Sequence, residues 1–352
     1  MHSKIIHRIM RKQVYLYLYV PMKAASISVI IPNYNGKNLL QNNLPSVFAA
    51  LEHAAIPYEV LVVDDCSTDD SLAFLQKKYP EVKLVVKEKN SGFSATCNVG
   101  IKHAKNTYIL LLNTDIQLPE NYLDGQFDYF KQADTFGVMA QIRGAKNGEI
   151  QDSARSFRLQ WGKLKPNTFF HVVNPSALIP TAYLSGANAL LDAEKLKELG
   201  GFNELFSPFY YEDFDLGLRA WRLGWKCYYY PDRFCLHDHA ATTKNYRTKN
   251  WVKGIYFRNK LMVHALHVSG LQKVSWYLRT FLETCVMWLL GNFYFYSSLK
   301  QFFAISEDIK VAKERFLALQ KQYQSTRTLA DVQEEMRLLL AGQNVQSGKG
   351  KA

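Results

Sequence analysis

Four short apolar runs set the limits on what this chain can become. "SISVIIP" ends at Pro32, "YEVLVVDD" begins at Tyr58, "VKLVVKE" at Val82 and "TYILLLNTD" at Thr107. Each is short for a buried helix and too continuous for a strand with one wet face. Each therefore reads as a strand covered on both sides, as in parallel sheets. Helix-length segments lie between them: Lys37 to Glu52, Asp70 to Tyr79 and Phe93 to Lys105. Strand and helix in alternation give an α/β sheet with right-handed crossovers. Ligands of such sheets bind at the carboxyl ends of strands, and Asn33, Asp64, Asp65, Asn113 and Asp115 all fall there.

The rest of the chain is less regular. Residues 143–180 read as a loop-rich insertion, and helical character returns at Ala193 to Leu199. From Thr248 onward the chain reads as mostly helical. Its most apolar long segment, residues 276–305, is interrupted by Arg279, Glu283 and Lys300. That suits an amphipathic, interfacial or partner-packing helix better than a membrane span. In "YFRNKL", Arg258 and Lys260 read as solvated surface. The expected divisions are an N-terminal extension over 1–25, an α/β domain over 26–245, a helical region over 246–342 and a flexible tail over 343–352. The extension has a basic start and an apolar run from Val14 to Val20 that is too short to span a bilayer, so it reads as a surface- or membrane-contacting segment.

The strand ends carry the chemistry. Asp64 and Asp65 close the second strand, and Ser67 or Asp69 then offers a helix cap. Capping does not need two adjacent acids, and a carboxylate at this place can accept from a base N–H or a ribose hydroxyl. In "NSGFSATCNVG", Asn90, Gly92 and Phe93 precede a helix. Gly92 there permits a positive φ or close backbone approach, either an ordinary turn or a backbone cradle near a nucleotide. Asn113-x-Asp115 ends the fourth strand; such pairs are common in turns, yet a carboxylate near a diphosphate suits Mg2+ or Mn2+.

"YEDFDLGLRAWRLGW", residues 211–225, places three acids at the start of a helix. At 100° per residue Glu212, Asp215, Arg219 and Arg222 share one stripe, and Asp215 pairs with Arg219 four residues on. Glu212 either joins that neighbourhood through Arg219 or sits in solvent. Asp213 lies beside Gly217, Ala220 and Gly224 with no basic partner in helical reach. A first-turn acid is favoured by the helix dipole alone. A lone carboxylate beside small residues can also act as a general base.

Taken in order, "SVIIPNYNG", "VVDDCSTDDS", "NSGFSATCNVG", "LLNTDI", "SGAN" and "GGFNELFSPFYYEDFDLGLRAWRLGW" resemble the family 2 glycosyltransferases over about residues 26–240, and most of all their bacterial rhamnosyltransferase-like branch. The resemblance implies a GT-A nucleotide-diphospho-sugar transferase fold with a mainly parallel central sheet and a helical region after it. It implies that Pro32, Tyr34, Asn35, Asp64, Asp65, Asn90, Gly92, Phe93, Asn113 and Thr114 hold the donor nucleotide. Ser185, Gly186, Ala187, Asn188 and Glu212 would line the donor sugar and acceptor, and Asp213 would be the base. Asp115 would carry Mg2+ or Mn2+ with a histidine that follows the acidic helix, His237 or His239, the former favoured by position. The family's usual metal motif is Asp-x-Asp, and Asn113 stands at its first position here.

The implied reaction is inverting, metal-dependent transfer of a hexose or deoxyhexose in polysaccharide and cell-wall synthesis. The donor would be a UDP- or dTDP-sugar and the acceptor a lipid-linked saccharide. Two other readings stay open: a catalytically silent GT-A-fold binding subunit, and a nucleotidyltransferase. The second wants a glycine-rich phosphate loop with a basic residue, where "PNYNGKN" offers only Gly36 and Lys37. The net charge of +12 suits an anionic membrane surface or nucleoside diphosphates. No nucleic-acid reader motif is present. Five cysteines without a CxxC pair point to a reducing compartment. The expected location is cytoplasmic, peripheral at the inner face of the plasma membrane, with self-association through the C-terminal helices a further option.

Overall fold

A computed structural model of the chain describes residues 24–238 and 248–347. Most of the basic leader, His239 and the end of the tail lie outside these residues. The first half runs β1 (Ile27–Asn33), α1 (Lys37–Ala54), β2 (Tyr58–Asp64), α2 (Ser71–Lys78), β3 (Lys83–Val86), α3 (Phe93–His103), β4 (Tyr108–Leu112), β5 (Ile116–Gln117) and β6 (Thr135–Gly144). Then come β7 (Ile150–Asp152), β8 (Ala154–Gln160), β9 (Lys163–Val172), β10 (Ile179–Pro180), β11 (Asn188–Asp192), α4 (Ala193–Glu198), α5 (Glu212–Arg222) and β12 (Lys226–His237). The chain closes with α6 (Lys249–His267), α7 (Gly270–Leu289), α8 (Tyr294–Ala304), α9 (Ser306–Gln322), α10 (Leu329–Leu340) and β13 (Val345–Ser347).

The four apolar runs pair in the order β3-β2-β1-β4 and are parallel throughout, with Val29 opposite Val60 on one side and Leu110 on the other. Beyond β4 the sheet turns mixed. β11 is antiparallel to both β4 and β6, and β12 then runs parallel to β6. Leu40, Leu44, Val47 and Leu51 of α1 bury one face of the sheet, each side chain contributing about 1.5–3 kcal/mol. The other face carries a core shared by Ile30, Val63 and Leu111 of the sheet, Trp221 of α5, Met262 of α6, Phe316 of α9 and Met336 of α10. α6, α9 and α10 therefore close the same core as the sheet.

Residues 143–180 are not loop-rich. β8 and β9 form a hairpin, and residues 345–347 of the expected tail add β13 to its edge. Phe157 and Leu164 turn inward and are buried, while Trp161 and Gly162, both at positive φ, make the two-residue turn. The turn lacks the usual Asn-Gly signature, and Pro166 obscures the period-2 pattern. Gly162 has no room for a side chain: a Cβ would sit 2.3 Å from the Trp276 backbone nitrogen, so the hairpin tip rests directly on α7.

The expected Asp215–Arg219 pair is present at 2.8 Å, and both partners are buried. A third member comes from α6: His267 Nε2 donates to Asp215 Oδ1 at 2.9 Å while its Nδ1 lies 3.4 Å from Arg222 Nη1. Arg219 also donates to the Leu199 and Gly201 carbonyls. Burial works against the Asp215 charge, but Arg219 and His267 outweigh it and hold the carboxyl below its usual range. Burial lowers His267 as well, so the ring is neutral. Because the folded Asp215 pKa is depressed, its contribution is complete above the unfolded value of about 4 and is lost as pH falls through the folded one. Asp215→Ala leaves a buried guanidinium without a counter-charge. Urea unfolding at pH 7 should show a loss of about 3–5 kcal/mol.

Candidate active site

The ends of β1 and β2 are tied to each other. Asp64 is fully buried; it accepts from Asn33 Nδ2 at 2.7 Å, Ser67 Oγ at 2.6 Å and Ser67 N at 2.8 Å. Asn35 accepts from Thr68 N at 2.7 Å and Asp69 N at 3.2 Å. Asp65 accepts from Lys87 Nζ at 2.6 Å, Ser91 N at 3.0 Å and Gly92 N at 2.8 Å. Both acids expected to touch the nucleotide are thus framework groups. They shape the turn at 64–69 and the loop at 90–92, and they leave Pro32, Tyr34, Asn90 and Phe93 with open surface. Lys87 was not anticipated, because its partner lies 22 residues away and on another strand.

Asp115 and His237 come together through strand pairing. β5 and β12 are antiparallel with His237 opposite Ile116, which sets His237 Nε2 3.1 Å from Asp115 Oδ2. Gln151 of β7 lies 2.7 Å from His237 Nδ1. With the Nδ1 hydrogen donated to Gln151 Oε1, Nε2 turns its lone pair toward a carboxylate oxygen. Two acceptors facing each other fit a divalent cation held by one carboxylate and one imidazole, with Gln151 orienting the ring. Among the described residues no three His, Cys, Asp or Glu side chains gather to hold a metal by themselves. Mg2+ and Mn2+ sites of this kind draw their other ligands from water and phosphate.

Between that pair and α5 lies the segment 185–187. Ala187 accepts from Asn113 N at 3.3 Å, and Gly186 N donates to Asp213 Oδ2 at 3.1 Å. One short backbone stretch therefore touches both the end of β4 and the start of α5. A Cβ at Gly186 would lie 2.8 Å from the Phe93 ring and 2.9 Å from Asp213 Oδ1, so glycine lets the three meet. Asn188 is a correction. It is fully buried and gives its amide to the Ala140 carbonyl at 2.8 Å and Cys235 Sγ at 3.4 Å, so it braces β11 and does not line the site.

Glu212 is a second correction. It neither joins Arg219 nor sits in solvent; it is buried beside Asp213. Glu212 Oε2 and Asp213 Oδ1 are both inaccessible and have no hydrogen-bond partner among the described residues. Burial pushes both carboxyls well above the usual range; Asp213 adds to the effect on Glu212, and the Gly186 N–H opposes it at Asp213 without offsetting it. A raised carboxyl close to neutrality is suited to take a proton.

The loop before this pair is strained. Tyr210 and Tyr211 have φ of 77° and 75°, a region side chains avoid at a cost of about 1–3 kcal/mol each. Asn259 of α6, fully buried, holds the loop there. Its amide donates to the carbonyls of Phe206 at 2.7 Å, Phe209 at 2.9 Å and Tyr210 at 2.9 Å, and its Oδ1 accepts from Arg258 Nε at 2.9 Å. Arg258 is half-buried against the Ser207 carbonyl rather than solvated. Nothing local marks Asn259: its partners are about fifty residues distant.

A parallel half-sheet whose strand ends meet an acidic helix start across a glycine segment defines the GT-A class of nucleotide-sugar transferases. A crystal structure of GalNAc-T7 with UDP, GalNAc and Mn2+ superposes with a TM-score of 0.58 at 17% identity, over 90% of this chain and 57% of that one. S. aureus TarS 1-349 in complex with UDP-GlcNAc gives 0.50 at 19% identity, over 93% and 98%. These likenesses establish the fold. Residues 28–200 match the family described as Glycosyl transferase family 2. The chain belongs to that family and is a glycosyltransferase. The N-acetylglucosaminyl-diphospho-decaprenol L-rhamnosyltransferase of Mycobacterium tuberculosis is 25% identical over 242 residues, 62% of this chain and 77% of that protein.

Asn259→Ala removes three buried donor contacts and should cost about 1–3 kcal/mol. Hydrogen exchange should quicken at residues 207–212 before it does elsewhere. The acid pair gives a stability profile of opposite sign to that of Asp215. Carboxyls raised in the folded state bind protons that the unfolded chain releases from about pH 4. Stability is therefore full below that value and falls as pH rises through the raised folded values. Melting curves from pH 5 to 8 should show this decline, and Glu212→Gln should flatten it.

Proposed function

We propose that this glycosyltransferase acts with inversion and needs a divalent cation. It moves a sugar from a UDP- or dTDP-sugar to a hydroxyl of a lipid-linked saccharide during cell-surface polysaccharide synthesis, at the inner face of the plasma membrane. The observation that carries the reading is the pair of unpartnered, buried carboxylate oxygens at Glu212 and Asp213, linked through Gly186 to the strand end that bears Asp115. An acceptor hydroxyl supplies the donor that those oxygens lack. The Mycobacterium tuberculosis relative, by its name, transfers L-rhamnose to a lipid diphosphate-linked amino sugar, which favours a related acceptor here.

The residues divide the work. Pro32, Tyr34, Asn35, Asn90, Asn113 and Thr114 border the nucleoside. Asp64 and Asp65 act behind them by setting the two turns. Phe93, Ser185, Gly186 and Ala187 floor the sugar. Asp115 and His237 would hold Mg2+ or Mn2+, which when bound stabilises charge on the leaving diphosphate. Asp213 takes the acceptor proton as the hydroxyl attacks the anomeric carbon. Glu212, protonated beside it, keeps the pair from carrying two adjacent charges and offers a hydrogen bond to the acceptor. A single displacement needs one base and no enzyme nucleophile.

Asp213→Asn should lower kcat by about 10²–10⁴-fold while UDP still raises the melting temperature. Asp115→Ala should abolish the part of that rise that depends on Mn2+. Full turnover by Asp213→Asn, or a UDP response in which Mn2+ and Asp115 play no part, overturns the reading.

A further inference from the structure

α7 is inside out. Of its twenty residues only Trp276 is buried. Its polar groups face the protein: Gln272 Oε1 accepts from Gly162 N at 2.6 Å, and Arg279 and Glu283 pair at 3.2 Å beside Lys260. Its apolar groups face outward. Leu271 is 88% exposed and Leu289 74%, with Leu278, Phe281 and Leu282 each more than three-fifths exposed. Positions 271, 274, 278, 281, 282, 286 and 289 follow helical spacing, so they make one stripe about 30 Å long. No charged residue falls on it. A contiguous apolar face of that size marks a docking surface.

Charge selects the occupant. Residues 249–304 hold seven Lys or Arg and one acid, Glu283. Their net charge of +6 is half of the chain's +12, concentrated in fifty-six residues. Two copies meeting through this face would bring those cations together. An anionic bilayer neutralises them and accepts the apolar stripe at once. Tyr277 and Trp288 are exposed on the same helix, as is usual at the level of lipid headgroups. No described helix is long and apolar enough to cross a membrane, so α7 lies along the surface.

We infer that the outward stripe of α7 is the face by which the protein docks on an anionic phospholipid surface, with the exposed Lys249 and Lys253 of α6 attracting the headgroups. The inference deepens the membrane location proposed above and rests on it for the side of the membrane involved. The geometry does not depend on which sugar is moved. It also gives a purpose to Gly162: the hairpin beneath α7 braces the polar side of the helix and keeps the apolar side turned out.

The test is flotation of the full chain with vesicles of phosphatidylcholine alone or mixed with phosphatidylglycerol, at low salt. The mixed vesicles should carry the protein about tenfold more efficiently than the neutral ones. Leu278→Glu combined with Leu282→Glu should reduce that about tenfold or more, with the melting temperature and the UDP response kept. Three results overturn the inference: no flotation of the natural chain with anionic vesicles, equal flotation of the double variant, or a dimer by light scattering that the double variant breaks while flotation is unchanged. Each leaves Asp213-dependent transfer measurable in solution, so failure of the docking surface and failure of the proposed reaction are separate outcomes.

Discussion

Two neighbouring carboxyls buried with an unpartnered oxygen each are the constraint around which this molecule is arranged. Desolvation and like charge both oppose them. They persist because the surroundings hold the start of α5 from three directions. Gly186 meets Asp213 from the sheet side. Asn259 and Arg258 hold the preceding loop from α6. The Asp215–Arg219–His267 group anchors the next turn of the helix. None of these contacts satisfies Glu212 Oε2 or Asp213 Oδ1. The architecture fixes the acids in place and leaves one oxygen of each without a partner among the described residues, which suits the base proposed above.

The acids of this site separate into two kinds. Both oxygens of Asp64 and of Asp65 accept hydrogen bonds, from Asn33 and Ser67 in one case and from Lys87, Ser91 and Gly92 in the other, and so these acids shape backbone. Asp115, set against His237, and Asp213, set against Gly186, are the two to which the proposed reaction gives a cation and a hydroxyl. Strand-end position alone does not distinguish the two kinds.

That distinction also explains which features were legible in the sequence. The four strands and their helices were readable because apolar runs are local. Asp213 stood out because its helix offers no basic partner in reach, while the base role given to it and the metal role given to His237 were drawn from the family resemblance. The Asp215–Arg219 pair followed from helical spacing. Glu212 was misplaced because one stripe on a helix wheel does not say which neighbour packs against it. Lys87, Gln151, Asn259 and His267 were invisible for a common reason: each meets its partner across strands or helices that only tertiary folding brings together. The β8–β9 hairpin escaped because a Trp-Gly turn and an internal proline hide an otherwise regular alternation.

Helices α6, α9 and α10 share one interior with the sheet, and this has a bearing on biosynthesis. Phe316, Val332 and Met336 fill the layer against Trp221. Until the segment bearing them leaves the ribosome, the earlier two-thirds of the chain presents that apolar layer to water. Folding of the sheet half must wait until residues as far as Met336 have been made, and a product stalled or terminated before them would be a natural client for chaperones and proteases.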